Sequence, residues 1–311
     1  MKVLLVVNPS ASSVTARRQV IVRALLAADH DVDTVETNRR GHATKLALDA
    51  ARSGIDAVVV LGGDGTLNEV ANGIAGTDCA LAALPGGSTN VFSRALGLPD
   101  EPIDAAMLIA ASMREPSRPG AIRRVGLGSV NGRYYLFHVG VGWDAALVEE
   151  VERRSELKRY ASHPLYIYAG IRTFFSTYDR SRPHFSVIHA DGTRIDDGYF
   201  DICLNLNPYT FVGPRPFNVA PEATLDRGLV NLCATSMRSL PFLGLLRRAL
   251  GDGSRVRESG IVDYRTDLTS LVIEGHGPVP YQVDGDHLGD IERLEFRHHP
   301  AVMNLIMPTP N

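Results

Sequence analysis

Apolar positions in the first third of the chain fall into short unbroken runs separated by stretches of helical spacing. Lys2–Val7 is a continuous apolar run, as expected of a parallel strand covered on both faces. Arg17–Ala28 places Val20, Ile21, Ala24 and Leu25 at helical intervals. Val32–Glu36 reads as a second strand, Ala43–Arg52 as a second helix and Ala57–Leu61 as a third strand. That strand runs into Gly62-Gly63-Asp64-Gly65, and a helix opens near Thr66. Cys79–Leu84 is a fourth strand, ended by Pro85-Gly86-Gly87. Strands alternating with helices predict a layered, parallel α/β sheet.

The pattern changes near Glu115–Gly120, a linker bearing proline and glycine. Asn131-Gly132 then lies between the apolar runs Val125–Val130 and Tyr134–Val139, a two-residue hairpin signal. Asp191-Gly192 lies between Phe185–Ala190 and Thr193–Ile195. Further short strands follow at Phe200–Leu206, Leu229–Thr235, Ser270–Glu274, Tyr281–Val283 and Arg293–Arg297. This half predicts a mostly antiparallel, sandwich-like β-domain. A helical insertion over about Ala145–Tyr178, broken at His163-Pro164, interrupts it, and a shorter helix covers roughly Leu240–Leu250. The expected domains are 1–120, rejoined by 298–311, and 121–297.

Composition narrows the function classes. The 311 residues suffice for two cored domains. A net charge of −3 gives no electrostatic footprint for nucleic acid. Cys79, Cys203 and Cys233 form no close pair, which fits a reduced, cytoplasmic setting better than a disulfide framework. The opening apolar run is too short for a signal segment and stops at Asn8-Pro9. No stretch approaches the ~20 apolar residues of a membrane span. The ten histidines lack zinc-ligand spacing, and His298-His299 reads as solvated. Gly140–Ala145 fits a dinucleotide pattern but follows a hairpin, and Trp143 reads as a packing residue.

The candidate chemistry sits in two glycine turns. Glycines between a buried strand and a helix let backbone approach a ligand closely. The helix start offers free N–H groups and partial positive charge to a phosphate. A bare carboxylate at Asp64 opposes phosphate binding unless it holds Mg²⁺ or a ligand hydroxyl. Otherwise Gly62-Gly63-Asp64-Gly65-Thr66 is a plain turn with an Asp cap. Asp64 is expected on an exposed loop. The turn Pro85-Gly86-Gly87-Ser88-Thr89-Asn90 follows the next strand and would bracket the same ligand, or simply cap a helix.

These segments resemble the diacylglycerol kinase catalytic-domain family, which includes bacterial lipid kinases and sphingosine and ceramide kinases. The residues that carry the resemblance are Asn8-Pro9, Thr37 with Gly41-His42-Ala43, GGDGTLNEV at 62–70 and PGGSTNVFSRALGLP at 85–99. It continues in GVGWDA at 140–145, APEATLDRGLV at 220–230 and VDGD at 283–286. GGDGT is shared with NAD kinases and phosphofructokinases, whereas the extension Leu67-Asn68-Glu69-Val70 resembles the lipid kinases. The resemblance implies ATP with Mg²⁺ in a cleft between an α/β and a β-sandwich-like domain. It implies nucleotide contacts at Asn8, Thr37, Gly62, Gly63, Asp64, Gly65, Thr66, Leu67, Asn68, Glu69, Gly87, Ser88 and Asn90. It also implies a proton acceptor at Asp284-Gly285-Asp286, where the residues alone read as a hairpin turn. The family's Glu is Asp286 here, so Asp284 and Asp286 stand together as candidates. Arg227 falls where several bacterial members place an Asp ligand of a structural Mg²⁺, so that site is expected to be absent. The family's Asn-Pro-x-Ser-Gly opening reads Asn8-Pro9-Ser10-Ala11-Ser12.

The implied function is a lipid kinase working at the membrane surface. Leu165, Tyr166, Ile167, Ile171, Phe174 and Phe175, preceded by Arg153, Arg154, Lys158 and Arg159, would suit an anionic interface or form core and solvated face. Alternatives are a kinase of a soluble acceptor such as NAD, and a nucleotide-binding regulator without catalysis. The lipid and the oligomeric state, a homodimer included, stay open.

Overall fold

The computed structural model describes residues 1–152 and 178–308. The chain divides into two compact units, Met1–Leu127 with the segment from Pro300 onward, and Gly128–His299. A parallel α/β region followed by mostly antiparallel strands is the class that the sequence predicts.

In the first unit β1 (Lys2–Val7), β2 (Asp31–Glu36), β3 (Ala57–Gly62) and β4 (Ala80–Pro85) run parallel in the order β2-β1-β3-β4. The chain's last strand joins beside β4 through Asn304 and Leu305. β3 and β4 are buried at every position, because both faces are covered and every residue is apolar or glycine or proline. β2 lies at the edge and buries only Val32, while Asp31 and Asp33 face solvent. The helices are α1 (Ala16–Ala27), α2 (His42–Arg52), α3 (Asp64–Ile74), α4 (Val91–Ala95) and α5 (Pro102–Arg114). Thr15 caps α1 by accepting from Arg18 N at 3.2 Å. Sequence patterning did not anticipate α5, although it carries Pro102 in its first turn and buries Ala105, Ala106, Ile109, Ala110 and Met113.

In the second unit the strands are β5 (Ile122–Val130, entering from the first unit), β6 (Arg133–Tyr135), β7 (His138–Gly142), β8 (Phe185–His189), β9 (Arg194–Gly198), β10 (Phe200–Leu204), β11 (Thr210–Val212), β12 (Arg215–Phe217), β13 (Leu229–Ala234), β14 (Val262–Leu268), β15 (Ser270–Val283) and β16 (Asp286–Ile306, leaving for the first). The order β14-β13-β10-β7-β15-β16 is antiparallel throughout. The first half of β15 also pairs with β8. One core gathers Tyr135, Val139, Val141, Phe185, Val187, Leu271 and Phe296. A second packs α7 (Ser239–Ala249) onto β10 and β13 through Phe242, Leu245 and Ala249. α6 (Trp143–Glu152) opens the expected helical insertion, and the rest of that insertion lies outside the described residues.

Three expectations are corrected. The run Tyr134–Val139 is two strands, β6 and β7, because the amides of Leu136 and Phe137 turn aside to a carboxylate. β14 and the β11–β12 hairpin went unread: β11 and β12 are only three residues each, and in β14 Val262, Tyr264, Thr266 and Leu268 alternate with charged residues, a period of two that was passed over. His298 and His299 are half-buried rather than solvated, with His299 Nε2 2.8 Å from Ser129 Oγ and its ring edge-on to Tyr134.

α3, which carries the phosphate-loop candidate, is seated by a close approach to α2. A Cβ on Gly73 would lie 2.6 Å from Thr44 O and 2.7 Å from Ala47 Cβ. In an open helix Gly→Ala stabilises by about 0.5–1 kcal/mol. Here Gly73→Ala is expected to destabilise by ~1–3 kcal/mol through overpacking, read from the urea midpoint. A rise in the midpoint would contradict the tight α2–α3 seat.

Candidate active site

Parallel register brings four strand ends to one edge of the first unit's sheet. Val7 pairs with Glu36 and with Leu61, and Gly62 pairs with Pro85. Asn8, Thr37, Gly63 to Thr66 and Gly86 to Asn90 therefore emerge side by side at the carboxyl ends of the strands, the edge where open α/β sheets bind ligands. Asn8 N donates to Leu61 O at 3.0 Å, and Thr37 N donates to Val7 O at 2.8 Å.

The two glycine turns are stacked backbone on backbone. Gly86 N donates to Gly62 O at 2.8 Å. A Cβ on Gly86 would lie 2.7 Å from Gly62 N, and one on Gly87 would lie 2.8 Å from Gly63 Cα. None of Gly62, Gly63, Gly86 and Gly87 adopts a positive φ. At Gly86 and Gly87 glycine is required for closeness, not for left-handed backbone. Asn90 does adopt one, at φ 50°, and its amide brackets Gly87: Oδ1 accepts from Gly87 N at 2.7 Å and Nδ2 donates to Gly87 O at 3.0 Å.

The first loop is laced to both turns. Asn8 Nδ2 donates to Thr66 Oγ1 at 2.9 Å, and Ser13 N donates to Gly86 O at 2.8 Å. Ser12, at the position of the glycine in the resembling family's opening, thus sits in a loop tied down on both sides. α3 begins with its first internal bond from Leu67 N to Gly63 O, at 3.1 Å. The amides of Asp64, Gly65 and Thr66 precede that bond and have no acceptor within the helix. Leu67 and Asn68 are buried, so their side chains support the loop from beneath, while Ser88 is exposed at the tip of the second turn.

The acidic residues staple loops together. Asp64 is not on an exposed loop. It is the first residue of α3, half-buried, and its carboxylate accepts from Val91 N at 2.9 Å and Phe92 N at 3.1 Å. It therefore caps α4, whose own preceding residue, Asn90, makes no side-chain cap. Glu69 does the same for α2, accepting from Gly41 N at 2.7 Å and Ala43 N at 3.0 Å.

In the second unit Asp284-Gly285 forms the turn between β15 and β16, with φ of 49° and 83°, and Val283 pairs with Asp286. Positive φ at both central residues is the type I′ pattern, also found at Asn131-Gly132. The buried Asp284 carboxylate accepts three amides: Leu136 N at 2.7 Å, Phe137 N at 3.0 Å and His138 N at 3.1 Å. Asp286 is about a third exposed, 4.0 Å from the guanidinium of Arg133. Gln282 links this turn to the interior. Its Oε1 accepts from Gly285 N at 2.8 Å, and its Nε2 donates to Asp144 Oδ2 at 2.8 Å. Tyr209 donates its hydroxyl to the other Asp144 oxygen. Burial pushes the Asp144 carboxyl above its usual value, against the hydrogen bonds from Tyr209 and Gln282. Gly140 makes room for it, since a Cβ there would collide with Asp144 Oδ2. The GVGWDA segment thus builds a polar interior rather than a dinucleotide loop, and Trp143 packs against Phe200 and Phe242. Nothing in the sequence paired Gln282 or Tyr209 with Asp144, because the partners are far apart in the chain.

Arg227 pairs with Asp267 through Nη2 at 2.5 Å, and Asp267 also accepts from Gly228 N at 3.1 Å. Among the described residues no three His, Cys, Asp or Glu side chains form a metal-holding cluster, and no helix is long and apolar enough to cross a membrane. Lys158 and Arg159, candidates for the lipid side, lie outside the described residues.

A parallel sheet whose carboxyl edge carries stacked glycine turns, followed by a β-rich unit, places a ligand-binding edge of the α/β class on the first unit. Residues 2–122 match the family model described as diacylglycerol kinase catalytic domain. It is 27% identical over 309 residues to the diacylglycerol kinase of Bacillus subtilis (strain 168), covering 98% of this chain and 95% of that protein. It is 28% identical over 311 residues to a Pseudomonas aeruginosa protein named "Probable lipid kinase YegS-like", covering 99% and 94%. The crystal structure of a diacylglycerol kinase from Bacillus anthracis str. Sterne shares the fold, with a TM-score of 0.72 at 23% identity over 98% of this chain and 96% of that one.

His138 offers a pH test of the second unit's interior. It is buried, and its ring lies 4.2 Å from that of Tyr209. Burial lowers its pKa from 6.5 to about 3. The unfolded chain therefore takes up a proton below pH 6.5 that the folded chain refuses until about pH 3. Stability from this group is complete above pH 6.5 and declines as pH falls, by about 1.4 kcal/mol per pH unit. His138→Phe should flatten the dependence between pH 5.5 and 4.5 by about that slope, measured by urea unfolding. An unchanged slope would mean that His138 titrates normally.

Proposed function

We propose that the protein is an ATP-dependent lipid kinase that phosphorylates a hydroxyl of diacylglycerol or a related lipid. The observation that carries this reading is the backbone stacking of Gly62-Gly63 on Gly86-Gly87 at the start of α3, inside the segment that matches a kinase catalytic domain. Two turns in which Gly86 and Gly87 leave no room for a Cβ, beside the start of α3, fit a polyphosphate. The names of relatives that align along nearly the whole chain support a lipid acceptor.

In this reading 1–120 with 298–311 bind the nucleotide and 121–297 meet the lipid. Asn8, Thr37, Gly62 to Glu69, Gly87, Ser88 and Asn90 shape or touch the nucleotide site. Mg²⁺ bound with the nucleotide would neutralise charge on its phosphates. Asp64 is the carboxylate at the turn, and it holds α4 in place. Of the two candidates for proton acceptor, the observations favour Asp286. Asp284 already accepts three amides and serves to hold its turn, whereas Asp286 extends from that turn with solvent access. The lipid hydroxyl oxygen attacks the γ-phosphorus, its proton passes to the Asp286 carboxylate, and the bond from phosphorus to the β–γ bridging oxygen breaks to release ADP.

The test is labelled ATP with Mg²⁺ and mixed micelles of diacylglycerol, sphingosine or ceramide, with NAD as a soluble control. Label is expected in lipid, and Asp286→Asn is expected to lower kcat by ~10² or more with the fold intact. Asp284→Asn is expected to lower the unfolding midpoint, by ~1–3 kcal/mol, through its weakened amide contacts. Phosphorylation of NAD alone, nucleotide binding without turnover, or normal kcat in Asp286→Asn would each overturn part of this reading.

A further inference from the structure

α7 has two apolar faces. Phe242, Leu245 and Ala249 enter the core of the second unit. On the other side Leu240, Leu243 and Leu250 are 83%, 59% and 56% exposed. Their spacing, with Gly244 and Arg247 between, is that of one stripe along a helix. Among the described residues six large hydrophobic side chains are exposed, and the other three lie singly on α1, α5 and β11. Half of the exposed apolar side chains therefore fall on one helix and its cap, a concentration that a solvated helix does not need.

Charge indicates what covers the stripe. Ser236–Gly251 contains Arg238, Arg247 and Arg248 and no acidic residue, in a chain whose net charge is −3. None of the three arginines takes part in an ion pair among the described residues. Arg247 and Arg248 also oppose the dipole at the end of α7, which accounts for their position but not for the leucines. Exposed leucines flanked by unpaired arginines match an interface whose surface is anionic and whose interior is apolar.

We propose that α7 docks the protein on an anionic lipid bilayer, with Leu240, Leu243 and Leu250 entering the acyl boundary and Arg238, Arg247 and Arg248 meeting the headgroups. This deepens the lipid-kinase reading by naming the element that meets the membrane, but binding is measured without nucleotide or turnover. A second copy of the chain is the competing occupant. It would have to accept the like charges of an identical face, which disfavours it.

The experiment is co-sedimentation of the full chain with vesicles of equal parts phosphatidylglycerol and phosphatidylcholine, and with phosphatidylcholine alone. Wild type is expected to pellet with the anionic vesicles and at least tenfold less with the neutral ones. The double variant Leu240→Asp/Leu243→Asp, which alters only exposed side chains, and Arg247→Glu should each lose binding at least tenfold. Both should keep the wild-type melting temperature and the wild-type turnover of a water-soluble short-chain diacylglycerol. Undiminished pelleting of the variants would overturn the proposal. So would self-association of wild type in the absence of lipid that the double variant abolishes, because the stripe would then be an interface between copies. Vesicle binding that the variants lose, in a protein that phosphorylates no lipid, would leave the docking helix standing and remove the kinase reading.

Discussion

Two glycine turns touch through their backbones, and most of the first unit is arranged to keep them there. Gly62-Gly63 and Gly86-Gly87 approach so closely that a single added Cβ would sit under 3 Å from the facing chain. Contact of this kind brings the ends of β3 and β4 into one surface and leaves the start of α3 open beside it. The four glycines themselves have no side chains to hold the contact. The pair is held by the Asn90 bracket, the Asn8–Thr66 bond, and the amide of Ser13 on Gly86 O.

Acidic residues recur as staples of backbone in both units. Asp64, Glu69 and Asp284 each accept two or three backbone amides from a different segment. A carboxylate used in this way satisfies orphan donors at helix or strand starts while fixing one loop against another. Such staples hold backbone without bulky side chains.

Much of this was legible in the sequence, for particular reasons. β1, β3 and β4 are unbroken apolar runs, and both Asn131-Gly132 and Asp284-Gly285 are residue pairs that tolerate positive φ. The two glycine turns stand out because each follows a buried strand. What escaped was long-range pairing. No local pattern says that Asp64 accepts amides beyond the next strand, that Glu69 reaches back to Gly41, or that Gln282 joins Gly285 to Asp144. Asp64 was expected in solvent for that reason. α5 was passed over because its alanine-rich sequence shows weak contrast between faces, although Pro102 marks its start.

Hydrogen–deuterium exchange of the full chain, with and without ATP and Mg²⁺, tests the stacked turns as the nucleotide cradle most directly. Slowed exchange in peptides spanning 8–14, 62–68 and 85–91 is the expected result. Protection confined to 128–299, or none at saturating nucleotide, would contradict it.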